Sequence, residues 1–266
     1  MLYREKKLVL QANNVSIMFG GLCAVSEFSC DIYEGTLFGL IGPNGAGKTT
    51  LFNMFSGIYT PTRGQISFWD RSSEVHIINK MKPAQLNKLG IARTFQNIRL
   101  FGNLSVLDNV RVALHSSRTV NALDALFRTP RFFRDEKLMS EKANYLLDIF
   151  KIADKENELA KNLPYGEQRK LEIARALAAS PKLLLLDEPA AGMNGQETAE
   201  LMSLIDFIRK KFHLTIVLIE HDMKLVMGIC EEIAVLNYGK IIASGSANEI
   251  KSNPLVIKAY LGSDAS

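Results

Sequence analysis

Hydrophobic and polar positions change their period along the chain, and the changes divide it into segments. From Leu8 to about Ile41, short alternating runs recur: Leu8 to Leu10, Val15 to Met18 and Phe28 to Ile32. Gly20, Gly21, Glu34 and Gly35 separate them, a pattern that predicts short strands in a mainly antiparallel sheet. Thr36 to Ile41 reads as a buried strand, followed by a glycine-rich loop and a helix from about Lys48. That helix is predicted to stop at Gly57, because glycine accepts the left-handed conformation that ends helices. From Asn97 to about Ser180, apolar residues return every three to four positions, as in Tyr145 to Phe150 and Leu171 to Leu177, predicting a largely helical insertion. Buried β runs reappear at Leu183 to Asp187 and Thr215 to Glu220, with a helix around Thr198 to Phe212 between them. This is the βαβ rhythm of a parallel sheet covered on both faces. The last strands fall around Ile233 to Leu236 and Lys240 to Ala243, before one short helix and a tail.

The expected class is therefore α/β, in a single domain spanning 1–266. Its core combines 8–95 with 181–250, 97–180 forms the helical subdomain, and 251–266 is the short C-terminal helix and tail. With 47% hydrophobic residues, the 266-residue chain can bury a sizeable core. Its apolar runs meet charge long before the roughly 20 residues a bilayer span needs. The start, Met1 to Lys7, lacks the apolar core of an export signal, so the chain is expected to stay in the cytoplasm. Cys23, Cys30 and Cys230 have no metal-site spacing and are read as buried small residues. A net charge of +4, with no block of like charge, suits a mixed solvated surface better than a nucleic-acid groove.

Chemistry enters with Gly42, Pro43, Asn44, Gly45, Ala46, Gly47, Lys48 and Thr49, which match the phosphate loop G-x-x-x-x-G-K-[ST] between a strand and a helix. The glycines let backbone N–H groups turn inward around phosphates, and the helix N-terminus adds positive potential. Lys48 reaches the terminal phosphate oxygens, Thr49 offers a hydroxyl to Mg²⁺, and Thr50 can add another hydroxyl contact. Average composition would produce the four fixed positions in a chain this long about one time in a hundred. Leu183 to Leu186 then delivers Asp187 and Glu188 to the end of a buried strand, where open α/β sheets bind ligands. Asp187 is assigned to Mg²⁺ and Glu188 to the water that attacks the γ-phosphate of ATP. As a lone pair, the two acids would read as a solvated strand cap.

The middle of the chain narrows the class. The run Leu163, Pro164, Tyr165, Gly166, Glu167, Gln168, Arg169, Lys170, Leu171, Glu172, Ile173, Ala174, Arg175 resembles the signature region of ABC ATPases, placed as in that family just before the Asp-Glu strand. Gln96, in Arg93 to Asn97, matches the Q-loop glutamine, and His221, in Ile219 to Asp222, matches the switch histidine. The resemblance covers about Leu8 to Leu261. It implies a P-loop, RecA-like parallel core sheet with an antiparallel β subdomain and a helical insertion subdomain. It also implies roles: Gln96 touches Mg²⁺ and the attacking water, and His221 bonds the γ-phosphate and helps position Glu188. Phe19 stacks on adenine, and Tyr165, Gly166 and Glu167 face the ATP held by a partner subunit.

Two departures bear on partners. The family's Leu-Ser-Gly-Gly-Gln reads Leu163 to Glu167 here, and Pro164 offers neither a hydroxyl nor an N–H. Asn194 stands where the family has an aspartate. Both favour a heterodimer with unequal ATP sites, a homodimer remaining open to the isolated chain. The wording around Gln96 and Glu167 resembles the first ATPase subunit of bacterial branched-chain amino acid importers. Those systems pair two ATPases with two integral membrane permeases and a periplasmic solute-binding protein. This implies an ATPase peripheral to the cytoplasmic face of the inner membrane, without nucleic acid. Importers of urea or amides are the alternative, followed by non-transport ABC ATPases acting on nucleic acid or ribosomes, which generally carry a coiled-coil insertion or two ATPase domains. The permease is expected to dock along Asn97 to about Asn109. Leu126 to Arg134, where aromatics alternate with arginines, reads as a turn over the insertion's own core, with lipid or permease contact as the alternative.

Overall fold

Two twelve-residue strands, β1 (Leu8–Phe19) and β2 (Leu22–Tyr33), open the chain where the alternation suggested three short ones. The polar pair Asn13 and Asn14, which reads as a break, is absorbed as irregular register between the paired strands. Asn14 takes φ +48° and donates its N–H to Ser29 Oγ at 2.9 Å, and Glu27 takes φ +52° and donates to Ser16 Oγ at 2.8 Å. Side-chain hydroxyls thus replace ladder bonds, and the strands continue. After β3 (Leu37–Ile41) and α1 (Lys48–Phe55), the strands β4 (Arg63–Trp69) and β5 (Val75–Ile77) complete an antiparallel sheet in the order β2-β1-β4-β5.

The computed structural model describes residues 7–115 and 129–261. Next come α2 (Pro83–Leu89) and β6 (Ile91–Arg93), then the helices α3 (Val106–Leu114), α4 (Pro130–Ile149) and α5 (Tyr165–Ala178). The chain returns to strands with β7 (Leu183–Asp187), α6 (Gly195–Phe212), β8 (Thr215–Ile219), α7 (Met223–Ile229), β9 (Glu232–Asn237) and β10 (Lys240–Gly245). The second sheet runs β10-β9-β3-β8-β7-β6 and is parallel except for the β9–β10 pair.

Strands β3, β7 and β8 are buried over their full length because each of their faces meets a different core. Leu184, Leu186, Ile216 and Leu218 pack with Leu147, Phe150, Leu171 and Ile205 from the helices. The alternate residues Leu183, Leu185, Val217 and Ile219 pack with Phe52 and Phe55 of α1 and with Val9, Phe28 and Phe68 of the antiparallel sheet. Period-2 alternation between two apolar environments produces an unbroken apolar run. Each fully buried Leu or Phe contributes about 1.5–3 kcal/mol.

Several boundaries differ from the sequence expectation. Helix α6 begins at Gly195, three residues before Thr198, because Asn194 Oδ1 accepts the N–H groups of Gln196 and Glu197, both at 3.0 Å. The C-terminal stretch holds two short helices rather than one, α8 (Ala247–Ser252) and α9 (Pro254–Leu261). Pro254 cannot continue a helix but suits the first turn of the next, and Asn253 Oδ1 accepts the N–H of Leu255 at 2.9 Å. Cys230 is buried as expected, but Cys23 is exposed and Cys30 half-buried. At the start of α4, Pro130 follows the capping residue Thr129, and the rings of Phe132 and Phe133 meet edge-on at 5.6 Å, with Phe133 exposed. Leu126 to Arg128, the rest of the aromatic and arginine stretch, lies outside the described residues. Among the described residues, no helix is long and apolar enough to cross a membrane.

Candidate functional site

The carboxyl ends of β3, β7 and β8, together with the segment leaving β6, carry the sequence-singled residues. The loop from Gly42 to Gly47 connects β3 to α1. Gly42 has φ +150°, and a Cβ there would lie 2.1 Å from the carbonyl oxygen of Leu236. Gly47 has φ +103°, and its Cβ would lie 2.7 Å from Ala24 O, so only glycine fits either place. Pro43, Asn44, Gly45 and Ala46 form the bend between them, held by Ala46 N donating to Pro43 O at 3.2 Å. Helix α1 starts with no capping side chain and no acid in its first turn. Its first N–H groups and positive dipole end therefore suit an anion.

Lys48 is buried, and its ammonium donates to the carbonyls of Gly42 (2.6 Å) and Pro43 (3.0 Å). Burial pushes its pKa down, and the nearby charges of Glu188 and Asp187 oppose that shift. Thr49 is exposed and Thr50 half-buried. With backbone donors, a lysine, a threonine hydroxyl and no acid inside it, the loop fits a polyphosphate with its Mg²⁺.

Asp187 ends β7, and its Oδ2 accepts from Arg93 at 2.8 Å, with both side chains almost fully buried. Arg93 also donates to Asn53 Oδ1 (2.8 Å) and Ser56 Oγ (2.7 Å), with its guanidinium near the rings of Phe52 and Phe95. Burial lowers its pKa against the opposing pull of Asp187. Glu188 has already left the strand, with φ +46°, a left-handed conformation uncommon for a side-chain-bearing residue. Its N–H donates to Ile219 O at 3.0 Å, which fixes it across the β7–β8 edge. The Gln96 amide donates to Glu188 Oε2 at 2.9 Å, and His221 Nδ1 lies 3.9 Å from the same oxygen. The site thus brings Gln96, Glu188 and His221 together, with Lys48 electrostatically coupled to Glu188 and Asp187.

Phe19 closes β1 with an exposed face, its ring edge-on to Tyr59 at 5.1 Å. The signature residues sit elsewhere. Pro164 precedes the first turn of α5 and offers no side-chain cap; Tyr165 is half-exposed and lies against Gly192, and Gly166 lies near Glu197. Glu167 is held by Lys155 at 2.6 Å.

Sequence reasoning missed four buried charges around the site: Arg93, Arg169, Glu172 and Glu220. Arg169 and Glu172 stand three apart on α5 among the buried residues Leu171, Ile173 and Ala174, and charge among residues so apolar was the available signal. Glu220 follows the apolar run of β8 and accepts the N–H of Ala190 at 3.0 Å. Burial pushes its pKa up, against the Ala190 bond, with Glu188 adding to the rise.

Strand-end carboxylates near the phosphate-loop lysine, with a glutamine bonded to one carboxylate oxygen and a histidine 3.9 Å from it, agree with what comparison with known proteins finds. The ABC transporter profile matches residues 25–191, and the chain belongs to the ABC transporter family of ATP-binding cassette ATPases. Within it, a profile described as branched-chain amino acid ATP-binding cassette transporter matches residues 240–266, a stretch from which the sequence reading drew no function. The chain is 44% identical over 254 residues to the high-affinity branched-chain amino acid transport ATP-binding protein LivG of Salmonella typhimurium, covering 96% of this chain and 98% of that one. It is 42% identical, over the same share of each chain, to BraF of Pseudomonas aeruginosa, a protein of the same description. Among solved structures, the ADP conformation of MJ1267, an ATP-binding cassette of an ABC transporter, superposes with a TM-score of 0.82 at 29% identity, covering 96% of this chain and 99% of that one.

Proposed function

We propose that this chain is the ATP-hydrolysing subunit of an importer for branched-chain amino acids. The observation that carries the reading is the convergence of Gln96 and His221 on one oxygen of Glu188, opposite the phosphate loop. The loop from Gly42 to Gly47, through the backbone N–H groups of all but Pro43, would bind the phosphates of ATP together with Lys48, Thr49 and Thr50, with Phe19 against adenine. Thr49, Gln96 and Asp187 would hold Mg²⁺, which when bound neutralises charge on the phosphate oxygens.

The chain's own residues do the positioning. Glu188, fixed by its backbone bond to Ile219, accepts the proton of the attacking water; Gln96 orients its carboxylate, and His221 contacts the terminal phosphate from the other strand end. Glu188→Gln is expected to lower ATP turnover by about 10²–10⁴ while leaving ATP binding intact. Turnover at the normal rate would remove Glu188 from the base role.

A head-to-tail partner ATPase would complete each site by presenting the N-terminus of its signature helix. Here that end is Tyr165, Gly166 and Glu167, with Pro164 in place of a hydroxyl donor, which supports a heterodimer with unequal sites. Two permeases would dock beside Asn97 to Asn109, next to a groove of about 460 Å³ that includes Arg99, Phe101 and Arg175. A periplasmic solute-binding protein would deliver the solute, and this subunit would sit on the cytoplasmic face of the membrane without nucleic acid. The whole chain would act as one ATPase domain, 8–95 and 181–250 forming the ATP-binding core and 97–180 the signature-bearing subdomain. The names of the relatives support the solute. Uptake of labelled leucine, isoleucine and valine by cells with and without the chain tests it, with labelled urea as the comparison; loss of urea uptake alone would reassign the solute.

A further inference from the structure

Arg169 and Glu172 form a buried ion pair on α5 that is turned toward the glutamine segment, away from solvent. The guanidinium is fully buried and bonded to Glu172 Oε2 at 2.8 Å. Its two terminal nitrogens fork onto consecutive backbone carbonyls, Nη1 to Phe95 O at 2.6 Å and Nη2 to Gln96 O at 2.7 Å. Glu172 Oε1 accepts the N–H of Arg99 at 3.1 Å. Two side chains one helical turn apart thus grip both ends of the segment 95–99, a segment outside any helix or strand.

A buried ion pair is weak evidence for stability, since apolar residues of like volume often serve as well. Here all its bonds beyond the pair itself and Tyr165 go to the backbone that carries Gln96. We infer that Arg169 is a positioning residue for hydrolysis: it holds the Gln96 backbone so that the Gln96 amide stays on Glu188. The same helix begins with Tyr165, whose hydroxyl lies 3.3 Å from Arg169 Nη2. The residues proposed to face the partner's ATP are therefore tied, through one guanidinium, to the carboxylate proposed to hydrolyse this subunit's own ATP. A displacement of α5 would be felt at Glu188 without passing through the phosphate loop. The inference rests on the reading of Glu188 as the hydrolytic carboxylate.

The test uses Arg169→Lys, which keeps the charge but cannot fork onto two carbonyls, and the double variant Arg169→Met with Glu172→Met, which leaves no unpaired buried charge. Hydrogen exchange in the full-length chain should quicken by about tenfold or more at amides 95–99 in both variants, with the β7 and β8 amides unchanged. In the assembled transporter, kcat for ATP should fall on the order of tenfold to a hundredfold, with KM within about twofold. In a Gln96→Ala background, Arg169→Lys should change kcat by less than about twofold, because the route it acts through is gone. Unchanged exchange at 95–99 overturns the inference, as does an equal loss of kcat with and without Gln96, or wild-type turnover in the double variant. If the wild-type transporter hydrolyses no ATP, the enzymatic reading fails, while the exchange measurement still decides whether Arg169 holds the segment.

Discussion

Replacing Arg93 by methionine isolates the ion pair beneath the site. In the wild type, Arg93 and Asp187 meet at 2.8 Å with side chains 6% and 4% exposed. A solvent-exposed pair contributes about 0–1 kcal/mol, but removing one partner of a buried pair leaves the other charge unpaired in low dielectric and costs about 3–5 kcal/mol. Methionine fills much of the space between Phe52 and Phe95. The loss therefore lies in the unpaired Asp187 carboxylate and in the donors taken from Asn53 and Ser56. At about 2–4 °C per kcal/mol for a domain near this size, the melting temperature should fall by roughly 6–20 °C. Thermal unfolding followed by circular dichroism measures it. Adding Asp187→Asn to Arg93→Met removes the orphaned charge and should recover most of the loss. A single variant within about 1 kcal/mol of wild type, or a double variant no better than the single, would refute the burial argument.

Glu220→Gln should stabilise the protein increasingly as pH rises above the ordinary carboxylate range toward the raised pKa of Glu220. The raised pKa means the native state keeps its proton where the unfolded chain has lost it, so native stability drains away through that window, whereas glutamine still accepts the Ala190 N–H and cannot ionise. Melting temperatures of variant and wild type followed across a pH series should diverge by a few degrees as pH rises, and a constant difference would contradict the assignment. Gly47→Ala, which combines φ +103° with a Cβ 2.7 Å from Ala24 O, should destabilise by more than ~1 kcal/mol and weaken nucleotide binding measured by calorimetry. Asn194→Ala removes the acceptor for two N–H groups at the start of α6 and should cost about 1 kcal/mol in urea unfolding, with ATP affinity unchanged.

The sequence by itself determined the class of fold and singled out the residues proposed for the ATP chemistry. The apolar runs at Leu37 to Ile41, Leu183 to Leu186 and Thr215 to Ile219, short and bounded by turn residues, read as strands buried on both faces, and Gly42 and Gly47 stand where only glycine fits. These are local requirements, set by side-chain period and backbone sterics, and so they are legible in a linear string. Alternation could not show that β1 and β2 run unbroken through Asn13 and Asn14, because the hydroxyls that make this possible, Ser16 and Ser29, act on Glu27 and Asn14 of the opposing strand. Nor could it show which buried charges serve which segment. Arg93 finds Asp187 across 94 residues, and Arg169 finds Phe95 across 74, separations that only the packed chain closes. A charge enters the core only where its partners are already assembled around it, and that assembly is a property of the tertiary structure.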